Sequence, residues 1–90
     1  MILKCMKYKV CGRVQGVGFR YHTAYHGLKI GVTGYAKNLA DGGVGVVVCG
    51  NEHQLLVMDK FLQQGPKGAR VDSLTQEPME YKTHKGFEIL

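Results

Sequence analysis

Met6, Tyr8 and Val10 alternate with Cys5, Lys7, Lys9 and Cys11. That period of two predicts a strand over 2–11 with one apolar and one mixed face, as in a sheet covered on one side only. A glycine-rich loop over 12–18 follows. From Phe19 or Arg20 onward the period lengthens. Tyr21, Ala24, Tyr25 and Leu28 fall at i, i+3, i+4 and i+7, which predicts a helix with those four on its buried stripe and His22, His26 and Lys29 opposite. Gly31 suits its C-terminal cap. Gly27 inside the helix is expected to weaken its last turn by about 1 kcal/mol relative to Ala. Residues 34–39 and 43–49 read as strands joined by the turn Ala40-Asp41-Gly42-Gly43, where Asp-Gly is a strong hairpin signal. A second helix opens on Asn51 with Gln54 three positions on, the spacing of a capping box. Its apolar stripe is Leu55, Met58, Phe61 and Leu62, and Gly65-Pro66 ends it. A strand over 69–79 with weak alternation and a short one over 86–90 complete the chain.

The order is β-α-β-β-α-β with a short tail strand. Crossovers through helices are right-handed. The common solution is an α+β, ferredoxin-like two-layer sandwich: an antiparallel sheet with both helices on one face and the third strand between the first two. Ninety residues give one domain, spanning 1–90. The longest apolar run, around Val46–Cys49, is far too short to cross a membrane. Lysines interrupt every candidate signal core near the N-terminus, so the cytoplasm is the expected location. Twelve basic against seven acidic residues give a net charge of +5, which suggests an anionic partner.

Three cysteines, at 5, 11 and 49, match no zinc-ligand spacing. Cys5 begins the first strand and Cys49 ends the third. If those strands are antiparallel neighbours, both sulfurs reach one end of the sheet and a Cys5–Cys49 disulfide is geometrically possible. Two reduced thiols are the alternative, favoured in a reducing compartment. Cys5 and Cys11 share the mixed face, which is expected to meet solvent. His22 and His26 have a metal-ligand spacing, but no third ligand is placed beside them, so they read as a solvated face and no metal site is assigned.

The run Gly12-Arg13-Val14-Gln15-Gly16-Val17-Gly18-Phe19-Arg20 leads from a strand into a helix. Glycines there let successive N–H groups turn inward, and a helix start adds unpaired N–H groups and partial positive charge. Arg20 in the first helical turn opposes the helix dipole, and a bound phosphate would account for it. The loop lacks the Gly-Lys-Ser/Thr ending of a P-loop, and from Gly16 and Gly18 the third position of a dinucleotide fingerprint is Tyr21. A glycine-rich turn with a surface arginine is the plainer reading. In the proposed topology the first two strands run parallel. The end of the second, at Asn38, therefore reaches the same edge as this loop. If Ala36 and Asn38 look toward the helices, the Asn38 amide can hold a water or an oxygen beside an anion. The plainer reading is an asparagine before a turn.

At these residues the chain closely resembles the acylphosphatase family. The resemblance rests on Val10 through Arg20 as quoted, and on Gly34-Tyr35-Ala36-Lys37-Asn38 continuing through Gly42, Val44 and Gly50. It extends to Gln64-Gly65-Pro66, Ala69-Arg70-Val71 and Gly86-Phe87-Glu88-Ile89, nearly the whole chain. It implies a small hydrolase that cleaves acyl phosphates to a carboxylate and inorganic phosphate by direct water attack, with no metal, cofactor or covalent intermediate. The family's catalytic arginine and asparagine match Arg20 and Asn38. Its phosphate cradle matches Gln15, Gly16, Val17, Gly18 and Phe19, with Arg20. The implied partners are an acyl phosphate and, as product-like ligands, inorganic phosphate or sulfate, with no membrane or nucleic acid and a monomer expected. Gly45 stands where the family often carries a charge, and Gly27 loosens the first helix. Two alternatives use the same fold: a nucleic-acid-binding module, disfavoured because 43–49 lacks aromatics for stacking, and a regulatory module.

Overall fold

A computed structural model describes residues 2–90. The first strand, β1 (Lys4–Arg13), is followed by α1 (Phe19–Ile30), β2 (Thr33–Asn38), β3 (Val44–Gly50), α2 (Glu52–Gln64), β4 (Arg70–Met79) and β5 (Phe87–Ile89). The sheet runs β4-β1-β3-β2-β5. All neighbours are antiparallel except β2 and β5, which pair in parallel, so the sheet is mixed at one edge. As the topology requires, β3 separates β1 from β2, and those two strands run in the same direction.

Alternation along β1 sends Tyr8 and Val10 into the core, where they meet Ala36 of β2 and Val44, Val46 and Val48 of β3. Phe19 and Ala24 of α1 and Leu55, Met58 and Leu62 of α2 close over that face. Burial pushes the Tyr8 phenol up to about 12, with the Asp59 carboxylate adding to the effect. The capping box on α2 is present as read: the Asn51 side chain accepts from the Gln54 N–H and the Gln54 side chain accepts from the Asn51 N–H. Among the described residues, no helix is long and apolar enough to cross a membrane.

The buried face of α1 is not the expected one. Phe19, Thr23, Ala24 and Gly27 face the core, and Tyr21, Tyr25 and Leu28 stand exposed. The Thr23 hydroxyl is fully buried because it donates to the Phe19 carbonyl one turn back, at 2.8 Å. His26 is half-buried, with its ring 4.2 Å from that of Phe61, rather than on a solvated face. Gly27 also makes room. A Cβ there would lie 2.6 Å from Cδ2 of the Phe87 ring, which β5 lays across the helix. Local propensity alone favours Gly27→Ala by about 1 kcal/mol, but the overpacking term of about 1–3 kcal/mol is larger. The variant is therefore expected to melt several degrees lower than wild type in a thermal scan, and a rise in Tm would contradict this packing.

Cys5 and Cys49 are direct cross-strand partners of β1 and β3 and are joined as a disulfide, with Cys11 free. Both bridged residues are buried, not solvent-facing. Val47, Tyr35 and Met79 pack around them, and the Lys82 N–H points to the Cys5 Sγ at 3.5 Å. The segment joining β4 to β5 thus covers this end of the otherwise open sheet face.

Candidate functional site

β1 and β2 end at the same edge of the sheet, and the loop after β1 turns there into α1. A cavity of about 190 Å³ at that edge is lined by Val14, Gly16, Gly18, Phe19, Arg20, Tyr21, Asn38 and Ile89. The two side chains singled out in sequence, Arg20 and Asn38, therefore border one space although α1 separates them along the chain.

Gly16 and Gly18 both have left-handed backbone, with φ of 76° and 77°. Residues with a side chain rarely adopt that conformation, which explains glycine at both positions. Gly18 is also the N-cap of α1, so the helix has no side-chain cap, and its first turn contains no acidic residue. The helical ladder starts with the His22 N–H donating to the Gly18 carbonyl at 3.0 Å. The N–H groups of Phe19, Arg20 and Tyr21 precede it and lie outside the helical ladder. An uncapped helix start with a cation in its first turn is an electropositive corner suited to an anion.

Arg20 is half-buried, and its Nη1 donates to the Leu90 main-chain oxygen at 2.6 Å. That bond ties the guanidinium to the residue following β5, on the cavity's rim. Asn38 shares the helix-facing side of β2 with Ala36 and pairs with Val44 in the ladder. Its Oδ1 is buried and accepts no hydrogen bond among the described residues. A buried amide oxygen left open beside an electropositive corner is a free acceptor for a water or a protonated substrate oxygen.

Gln15 and Val17 do not line this cavity. The Gln15 amide turns the other way and donates to the Leu39 and Gly43 carbonyls at 2.8 and 2.9 Å. It fastens the loop to the β2–β3 turn and so sets the position of both loop and strand end. Val17 packs against the core. The turn that Gln15 grips is itself braced: Asp41 accepts from the Gly43 N–H at 3.0 Å and pairs with the Lys9 ammonium. The Lys9 ammonium and the Gly43 N–H hold the Asp41 carboxyl below the usual carboxylate range, and Asp41 in turn raises Lys9. Tyr21 and Ile89 are cavity residues that the sequence does not mark for the site. Periodicity assigns Tyr21 to the core, and the position of Ile89 depends on the parallel pairing of β5 with β2.

A family model described as acylphosphatase matches residues 6–89. The chain is 51% identical, over 90 residues and the full length of both proteins, to an acylphosphatase of Vibrio parahaemolyticus serotype O3:K6. Its fold is similar to two solved structures. One is an acylphosphatase from Coxiella burnetii, with a TM-score of 0.93, 30% identity and coverage of 98% of this chain and 93% of that one. The other is acylphosphatase from Bacillus subtilis, with a TM-score of 0.92, 30% identity and 99% of each chain covered.

Proposed function

The chain belongs to the acylphosphatase family, and from that premise we propose how its own residues carry out acyl phosphate hydrolysis. Arg20 and the N–H groups of Gly16, Gly18 and Phe19, all on the cavity wall, hold the phosphoryl oxygens, and the Asn38 amide orients the attacking water. The observation that carries this reading is the single cavity in which the uncapped start of α1 and the Arg20 guanidinium share a wall with Asn38, whose Oδ1 is an unused buried acceptor.

The chemistry asks little of the protein. An acyl phosphate is a mixed anhydride, and its leaving carboxylate is already a weak base, so no strong general acid is needed. The water oxygen bonds to phosphorus as the bond from phosphorus to the acyl oxygen breaks. The bonding electrons leave on the carboxylate, and the water's proton passes to a phosphoryl oxygen. Inorganic phosphate and a carboxylate result. Positioning and charge stabilisation supply the rate. Arg20 offers a planar fork that matches two phosphoryl oxygens. Loop N–H groups held by the glycine backbone and the helix start would meet the transition-state charge without reorganising. Asn38 Oδ1 accepts from the water and holds it on the far side of phosphorus from the leaving group. All these groups come from one copy of the chain, so the scheme works in a monomer. The product phosphate, or a sulfate, occupies the same cradle as a competitive ligand.

Asn38→Ala separates the two halves of the scheme. The variant is expected to lose about 10²-fold in kcat, while inhibition by inorganic phosphate changes only a few-fold, because the cradle is intact. Steady-state hydrolysis of benzoyl phosphate with phosphate inhibition measured in parallel reads both. Near-normal turnover would remove Asn38 from the mechanism.

A further inference from the structure

Two solvent-exposed apolar residues on the cavity's lining have no part in the scheme above. Tyr21 directly follows Arg20 in the first turn of α1, and Ile89 is the last residue of β5. Both are large, and both are left open to solvent, Tyr21 at 71% and Ile89 at 43% exposure. Tyr21 is not exposed for want of a core to enter: the helix packs through Phe19, Thr23, Ala24 and Gly27 and turns this ring outward. Neither residue offers charge to a phosphate. What they offer is apolar surface on the same cavity as the anion-holding corner.

An acyl phosphate has two ends of opposite character. The phosphoryl end is charged and fits the loop N–H groups and Arg20. Whatever lies beyond the anhydride oxygen must leave the cradle along the cavity wall. We propose that Tyr21 and Ile89 form the acyl-binding rim of the site, and that the protein selects acyl phosphates bearing an aromatic or branched apolar acyl group over those with a small one. The inference rests on the hydrolase mechanism proposed above and adds the substrate class to it. The rim is held on both sides. The Tyr21 side belongs to the helix whose N-terminus binds the anion. The Ile89 side is fixed by pairing with Ala36 of β2 and by the Arg20 bond to the adjacent Leu90 oxygen. An apolar acyl group lying between Tyr21 and Ile89 removes surface of all three from water.

The test compares two probes that share the phosphoryl end, benzoyl phosphate and acetyl phosphate. Their different intrinsic reactivities cancel when the ratio of their kcat/KM values is compared between proteins. Tyr21→Ala is expected to lower the benzoyl-to-acetyl ratio about tenfold, the scale on which apolar pockets discriminate. Ile89→Ala is expected to lower it less, and Tyr21→Phe to keep it, since the ring and not the hydroxyl does the selecting. The loss should appear as a higher KM for benzoyl phosphate, while the inhibition constant of inorganic phosphate, which has no acyl group, stays within about twofold. A ratio unmoved in the Tyr21→Ala, Ile89→Ala double variant overturns the rim. So does a phosphate inhibition constant that rises in step with KM, because the substitution would then be acting on the cradle. Wild-type protein that hydrolyses neither probe overturns the mechanism itself, and the rim with it; that result is distinct from an unmoved ratio in an active enzyme.

Discussion

Arg20→Lys is expected to lower kcat/KM for acyl phosphates by about 10²–10³-fold while the protein stays folded. The substitution keeps a positive charge in the first turn of α1, so the loss isolates geometry from charge. A guanidinium presents a rigid planar fork, able to span two phosphoryl oxygens while its remaining N–H groups bond elsewhere. In this protein one of those groups is already engaged with the Leu90 oxygen, which fixes the fork's direction. A lysine ammonium is one point charge on a flexible stem, and it cannot make both connections in the same orientation. Its residual benefit is electrostatic and is shared by ground state and transition state, so binding of inorganic phosphate should fall less than turnover. The fold should tolerate the exchange, because the core cluster is built without Arg20. Removing a guanidinium that opposes the helix dipole costs no helix stability, and a lysine in its place restores the same small penalty. The measurement is steady-state hydrolysis beside a thermal melt. A variant with wild-type Tm and a loss of less than about fivefold would show that charge alone suffices and that the bidentate role is wrong.

Features carried by local chemistry are legible in the sequence. The capping box of Asn51 and Gln54, the Asp41-Gly42 turn and the alternation of Tyr8 and Val10 each need only near neighbours along the chain. The placing of Asn38 near Arg20 is legible for a different reason: once β3 lies between β1 and β2, two distant segments must end at one edge, and the cavity that both residues line is at that edge. The misreading of α1 has an equally physical cause. Hydrophobicity marks Tyr21, Tyr25 and Leu28 as the buried stripe, but the sheet and α2 leave space close to the helix for smaller groups. Thr23 and Gly27 take that place, one by bonding its hydroxyl to its own helix and the other by leaving room for Phe87 from β5. The Gln15 side chain shows the same dependence. It sits in the glycine-rich loop, but its amide is used by carbonyls 24 and 28 positions further on. Alternation puts Cys5 on an open face because nothing local announces that residues beyond β4 return to cover it. In each case the deciding partner is remote in sequence and close only after the sheet has formed.

Reduction of the Cys5–Cys49 bridge is expected to lower the melting temperature by roughly 15–30 °C and to leave turnover intact below the new transition. The bridge closes a loop with a sequence separation of 44. In the chain-entropy account, removing such a link frees the unfolded ensemble by about 4 kcal/mol. For a domain of this size each kcal/mol shifts the midpoint by about 4–8 °C. The predicted change therefore spans a large part of a small domain's total stability. Geometry confines the effect to stability. Cys5 lies at the start of β1 and Cys49 at the end of β3, whereas the loop carrying Gly16 and Gly18 follows the other end of β1. The ladder of β1 and β3 continues from Met6–Val48 to Val10–Val44 without the bridge, so the folded state keeps its register when the sulfurs part. Thiol titration in denaturant without reductant should find one free thiol per chain, that of Cys11, and three after reduction. Calorimetry of the two forms then gives the shift, and the Cys5→Ala, Cys49→Ala variant should melt near the reduced protein. Three free thiols at the outset would show that the sulfurs do not join, and equal melting temperatures for titration-verified oxidised and reduced protein would show that the link does not stabilise the fold. A loss of turnover at 25 °C in folded, reduced protein would mean that this end of the sheet communicates with the site, through the segment that covers Cys5 and leads into β5.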